Sequence, residues 1–141
     1  MKSQFFVFVF LIFFTLSFGQ ETTTITKKQL HVTFATSSIS IDGELNEDVW
    51  KNAEIAKDFI GFEPINGTQA PNELRSEVKV VYDNDAVYIG AILYDREPSK
   101  ILREVKERDE FGTSDLFGVF INGYNDGQQD YRFFVSAAGV Q

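Results

Sequence analysis

The 141-residue sequence has no cysteine, one histidine (His31), one tryptophan (Trp50), one methionine and three prolines. Without cysteine there are no disulfides, no thiolate nucleophile, and no cysteine-ligated zinc or iron–sulfur cluster. A single histidine leaves little room for a histidine-based metal site or proton shuttle. Basic residues are also scarce, with 13 Lys+Arg against 21 Asp+Glu and a formal charge of −8. So acidic a surface repels phosphate backbones, which excludes nucleic acid as an expected partner. Long apolar runs are lacking as well. The longest, Phe5–Phe18, covers fourteen residues and is broken by Thr15 and Ser17, short of the ~18 that a membrane-spanning helix needs.

That run instead has the pattern of an export signal. Lys2 precedes it, and Ser17 and Gly19 put small residues at −3 and −1 of a cleavage point after Gly19. Residues 1–19 are therefore expected to be a signal peptide, delivering the chain to the periplasm, the outer membrane or the medium. Removing these nineteen residues from 141 leaves 122, and losing Lys2 takes the charge from −8 to −9. A chain of that length can bury a core without disulfides, so the lack of cysteine is compatible with export. No cysteine follows the cleavage point to carry a lipid anchor.

Residues 20–28 are polar and threonine-rich, and read as a flexible lead-in to a domain over 29–141. Leu30, Val32 and Phe34 alternate with polar residues, which predicts a half-buried strand with His31 on its solvated face. Ile39 and Ile41 alternate again before the turn dipeptide Asp42-Gly43. Asn46 is placed to cap a short helix, with Glu47 and Asp48 in its first turn. Val49, Trp50 and Ala53 share one helical face, so Trp50 reads as a core plug rather than a sugar platform. Phe59–Phe62 reads as an edge strand, and Glu63–Asn72 as a loop containing Asn66-Gly67-Thr68, a glycosylation-acceptor pattern that also fits ordinary turn chemistry.

The strongest pattern comes next. Val78, Val80 and Tyr82 alternate, Asp83-Asn84-Asp85 turns the chain, and Val87, Ile89, Ala91 and Leu93 share a face. This predicts an antiparallel hairpin. Its second strand is apolar on both faces and is expected to be central and covered on both sides. Arg96–Glu110 carries ten charges in fifteen residues, with a short helix expected over Lys100–Val105. Leu116–Gly123 and Tyr131–Ser136 form a second hairpin around Asn125-Asp126-Gly127. Short strands at such intervals predict an all-β fold, an antiparallel β-sandwich with one short helix. The last residues, Val135–Gln141, break off at or just past a strand, so the sandwich is expected to be incomplete.

Four strings occur together in a familiar order. Ile41-Asp42-Gly43-Glu44-Leu45-Asn46-Glu47-Asp48-Val49-Trp50 resembles the opening motif I-D-G-x-L-x-E-x-x-W of carbohydrate-binding module family 9. Val80-Val81-Tyr82-Asp83-Asn84-Asp85-Ala86-Val87-Tyr88-Ile89-Gly90 is similar to that family's central hairpin. Arg108-Asp109 with Asp115-Leu116-Phe117-Gly118-Val119-Phe120-Ile121-Asn122 resembles its R-D … D-x-x-x-V-x-I-D strand. Tyr131-Arg132-Phe133-Phe134-Val135 and Gly139-Val140-Gln141 look like the next strand and turn.

The resemblance implies a carbohydrate-binding β-sandwich of the kind that accompanies secreted glycan-degrading enzymes. A second setting for such domains is the N-terminus of large outer-membrane barrel proteins. Sugar-binding members carry a tryptophan in the loop before the Asp115-type strand, where this chain offers only Phe111. Their strand Glu and neighbouring Arg correspond here to Gly118 and Phe134, and their Asp at the strand end to Asn122.

Sugar recognition needs flat aromatic faces plus polar groups to orient hydroxyls. The candidate set is Phe111, Tyr124 and Tyr131, with Arg108, Asp109 and Arg132 as polar partners. The competing reading makes Tyr124 and Tyr131 ordinary strand-end aromatics. Arg108, Asp109 and Asp115 are expected to form an ion pair that pins the loop to the sheet. Trp50, Asp42, Gly43 and Asp115 are assigned structural roles. Asp83 and Asp85 offer oxygen ligands of the kind calcium takes, but sit where a tight turn would place Asx residues anyway. Calcium is the only cofactor considered, and none is required. No spacing singles out a catalytic carboxylate pair and no G-x-S-x-G is present, so the chain is expected to be a non-enzymatic glycan-binding domain, the alternative being a docking domain for a downstream barrel.

Overall fold

The computed structural model describes residues 27–110 and 112–141, so the expected signal peptide, most of the lead-in segment and Phe111 lie outside the described residues. The chain divides into two units, Met1–Leu30 and His31–Gln141. Of the first, the described residues 27–30 carry no helix or strand. Among the described residues, no helix is long and apolar enough to cross a membrane.

The second unit is mostly strand, in two small sheets with very little helix. Its elements are β1 (Thr33–Phe34), α1 (Asp48–Asn52), β2 (Ser76–Tyr82), β3 (Val87–Leu93), β4 (Leu116–Ile121) and β5 (Tyr131–Ser136). Short 3-10 turns cover Asn72–Leu74 and Pro98–Lys100. One sheet has the order β1-β2-β3 and the other is the β4–β5 hairpin.

Both hairpins form where the period-2 pattern placed them. In the first, Val81 opposes Tyr88 and Val80 opposes Ile89; in the second, Gly118 opposes Phe134 and Phe120 opposes Arg132. The turn between β2 and β3 is built on Asp83. Its Oδ1 accepts from the backbone N–H groups of Asp85 and Ala86, both at 2.8 Å, and its Oδ2 accepts from the Tyr88 hydroxyl at 2.9 Å.

The core lies on one face of the first sheet, where Trp50 is 3% exposed, Val81 is 0% exposed and Ala53 is buried with them. Leu45, Val49, Ile39 and Tyr88 pack around this group. Gly90 makes the packing feasible, because a Cβ there would lie 2.5 Å from Leu45 Cδ2 and 3.3 Å from the Trp50 ring. Asp42 and Gly43 shape the approach to α1: Asp42 Oδ1 accepts from Glu44 N at 2.8 Å, and Gly43 has φ +85. That left-handed conformation favours glycine.

The structure departs from the expected pattern in several places. β1 pairs with β2 in parallel, Thr33 opposite Val81 and Phe34 opposite Tyr82. The long connection through α1 supplies the crossover that a parallel pair requires, whereas a hairpin can make only an antiparallel one. Glu47, not Asn46, is the N-cap residue, and its side chain caps nothing in the helix; Oε1 accepts instead from Ser40 N at 2.8 Å. Phe59–Phe62 contributes only the isolated bridge Ile60–Gln69. The helix expected over Lys100–Val105 is replaced by the 3-10 turn at Pro98–Lys100, where Pro98 sets the first helical position.

The largest departure concerns coverage. Among the described residues β3 is an edge strand of its sheet, and Leu93 and Phe120 are 50% and 57% exposed. β3 is apolar on both faces because one face meets the Trp50 core and the other looks into open space beside the second hairpin, not because strands flank it.

Candidate functional site

Alternation along β3 puts Val87, Ile89, Ala91 and Leu93 on the face opposite the Trp50 core. Residues of this face and of β4–β5 together line a cavity of about 650 Å3. Val87 and Ile89 contribute from β3, Phe117 and Val119 from β4, and Phe133 and Val135 from β5. Three polar residues singled out in the sequence border the same cavity: Arg108, Asp109 and Arg132. A smaller space of about 300 Å3 continues along the sheet between Ala91, Leu93, Phe117 and Val135.

The polar rim is held from several directions. Arg132 Nε donates to Asp130 Oδ1 at 3.1 Å, and its guanidinium carbon lies 5.3 Å from the Phe120 ring centroid. Phe120 in turn meets Phe134 edge to face, with centroids 5.6 Å apart and rings at 85°. Arg108 Nε is 3.9 Å from Asp109 Oδ2, and both side chains are open to solvent. Asp109 has φ +68, and its N–H donates to Gln141 O at 3.2 Å.

The pin expected from Arg108, Asp109 and Asp115 takes a different form. Asp115 anchors through its backbone, accepting from Ala137 N at 2.9 Å. The loop before β4 is organised by Glu104, a residue the sequence reading passed over. Glu104 Oε2 accepts from Thr113 N and Thr113 Oγ1, each at 3.3 Å, and Oε1 pairs with Lys106 Nζ at 2.9 Å. The Lys106 ammonium, then the Thr113 N–H, hold the Glu104 carboxyl below its ordinary pKa. The buried Ser114 hydroxyl completes the tie, accepting from Glu104 N at 2.7 Å. The available signal was a carboxylate followed nine and ten residues later by hydroxyls, but it was hidden among ten charges in fifteen residues.

The aromatic candidates are dispersed. Tyr131 starts β5 on the same face as Phe133 and Val135 and is 61% exposed. Tyr124 is 74% exposed in the β4–β5 connection, its N–H donating to Asn122 Oδ1 at 3.2 Å. Phe117 and Phe133, not singled out from the sequence, supply rings to the same cavity as the Arg108–Arg132 rim. Asn122 Nδ2 also reaches Asp126 Oδ1 at 3.4 Å, so its carboxamide serves the turn at both ends.

Asp83, one of the two candidate calcium ligands, uses both carboxylate oxygens within its turn. The Asp85 and Ala86 N–H groups, followed by the Tyr88 hydroxyl, lower its pKa. Among the described residues no group of three or more His, Cys, Asp or Glu side chains is arranged to hold a metal ion. His31 is exposed, with Nδ1 3.0 Å from Glu54 Oε2.

No family model, no curated protein and no solved structure matches this chain. The structure by itself shows a mostly-strand chain with very little helix and an open cavity lined by residues of both small sheets.

Proposed function

We propose that this chain is an exported, non-catalytic carbohydrate-binding domain of the kind linked to glycoside hydrolases and polysaccharide catabolism. In this reading the two sheets are the halves of a β-sandwich, and a glycan binds where they open. The observation that carries it is the cavity that brings Arg108, Asp109 and Arg132 together with the rings of Phe117 and Phe133. Aromatic faces pack against sugar C–H surfaces, while a guanidinium and a carboxylate orient hydroxyls. The resemblance to carbohydrate-binding module family 9 points to the same ligand class. No metal is needed. Affinity electrophoresis and calorimetry against xylan, cellulose and soluble oligosaccharides test the proposal: retardation by at least one glycan is expected, and mobility unchanged by all of them overturns it.

A second reading is favoured by a specific feature. Gly118 and Phe134 are apolar where the resembled family places a polar pair, and Leu93 and Phe120 are exposed. On this reading the domain docks on an outer-membrane barrel through its apolar faces and binds no sugar. A downstream coding region rich in amphipathic strands, combined with no glycan affinity, would select it.

A further inference from the structure

A second concave site lies away from the Arg108–Arg132 rim, where Lys57–Phe59 and Gln69–Asn72 meet the start of β2. Its volume is about 280 Å3, at the small end of the ~300–1,000 Å3 typical of ligand sites. That is room for one ring rather than a chain. Its polar groups are held in place before any ligand arrives. Arg75 is fixed at three points: Nε donates to Glu77 Oε1 at 2.9 Å, Nη1 donates to Asn72 O at 3.0 Å, and the guanidinium carbon sits 3.5 Å from the Tyr94 ring centroid. Gln69 is set by its backbone bridge to Ile60 and by Nε2 donating to Asp58 Oδ1 at 3.1 Å. Asp58 itself has φ +59, a left-handed conformation uncommon outside glycine, although Asp tolerates it better than most residues. Phe59, 46% exposed, supplies an apolar ring at the wall.

The lining also restricts the ligand. Two cations, Lys57 and Arg75, face two carboxylates, Asp58 and Glu77, so the site carries no net charge to select an anion or a cation. Its lining includes groups that both donate and accept, the Gln69 and Asn72 carboxamides and the Ser76 hydroxyl. A neutral ring whose substituents both donate and accept satisfies this set, and Phe59 suits its C–H face.

We propose that this cleft is a second carbohydrate site, taking a single neutral sugar ring. It shares its ligand class with the reading above and rests on it for that class alone, because the two sites have no residue in common.

Amide chemical-shift mapping of the mature chain tests the assignment, with xylose, glucose, xylobiose and cellobiose as probes and inorganic phosphate as the anionic control. Saturable shifts at Gln69, Ala70, Asn72 and Ser76 with a neutral sugar, and none there with phosphate, are expected. Shifts confined to Arg108, Asp109 and Arg132 would overturn this site and leave the first standing. Shifts confined to the Gln69 cluster would do the reverse, and an absence of shifts at both would overturn both. Shifts at the Gln69 cluster with phosphate but with no sugar would also overturn the proposal. Gln69→Ala and Phe59→Ala should each weaken sugar binding at this cluster by about three- to tenfold, the loss of roughly one neutral hydrogen bond or one stacking contact. Arg132→Ala should leave it unchanged, and equal weakening by Arg132→Ala would count against two separate sites.

Discussion

The Phe134 ring lies across Gly118, its register partner on β4, so closely that a Cβ on Gly118 would come within 2.6 Å of the ring. The absent side chain of Gly118 leaves the space that the Phe134 ring fills. Phe120 then meets that ring edge to face, and Arg132 covers Phe120. Gly118→Val should force Phe134 off its position and cost about 1–3 kcal/mol, the usual penalty for overpacking. Urea denaturation measures it. Adding Phe134→Ala should restore much of the loss, since the clash then has no partner; strictly additive losses would show that the ring does not occupy this space.

Trp50 and Gly90 form a similar pair in the core, with more at stake. Trp50→Ala should destabilise the domain by about 3–5 kcal/mol. Gly90→Ala drives a methyl group into Leu45 and should cost about 1–3 kcal/mol. Because the two changes share neighbours, they should not add. Thermal unfolding of the single and double variants provides the comparison.

The turn at Asp83 predicts a pH dependence. Its carboxylate accepts from two backbone N–H groups and a tyrosine hydroxyl, which lowers its pKa in the folded state. A lowered folded-state pKa gives stability that is complete above the unfolded value, about 3.9, and is lost as pH falls through the folded value. Asp83→Asn should therefore lower the melting temperature at neutral pH and narrow the gap to the native chain below about pH 4. A gap that stays constant between pH 7 and pH 3 would mean that the charge on Asp83 contributes nothing to the turn.

How much of this was legible in the sequence depended on whether a local pattern governed the outcome. Val78, Val80 and Tyr82 recur at period two, Val87–Leu93 and Tyr131–Ser136 are short apolar and aromatic runs, and an Asx turn joins the strands of each hairpin, which is enough to mark the pairing. Trp50 could be assigned to the core because Val49 and Ala53 shared its helical face. Parallel pairing of β1 was not legible, since a two-residue strand has no period and its partner lies 48 residues along the chain. The edge position of β3 was misjudged because apolarity on both faces looks the same for a covered strand and for one facing an open cavity. In the candidate site, Arg108, Asp109 and Arg132 could be chosen as charged residues beside turns, whereas Phe117 and Phe133 looked like ordinary strand residues. The cleft at Gln69 joins segments separated by loops and left no sequence pattern.

Under the proposed glycan-binding reading, Glu104 links the loop architecture to affinity. Its carboxylate holds Thr113 and Lys106, and Ser114 accepts from its N–H. This ties the segment carrying Arg108 and Asp109 to the start of β4. Glu104→Ala removes the acceptor for Thr113 and leaves Lys106 without its partner, while the Trp50 core on the other sheet face is untouched. Glycan affinity at the Arg108–Arg132 rim should then fall several-fold with little change in melting temperature, because the loop loses its set geometry before the fold loses its core. Glu104→Gln keeps an acceptor for Thr113 and should recover part of that affinity. The Glu104 pKa is lowered by Lys106 and Thr113, so the loop is held above the unfolded glutamate value of about 4.3 and released as pH falls through the folded one. Affinity of the native chain should decline across that acidic range and that of Glu104→Gln should not; calorimetric titrations at pH 7 and near pH 3 would separate them, and parallel declines would remove Glu104 from the proposed role.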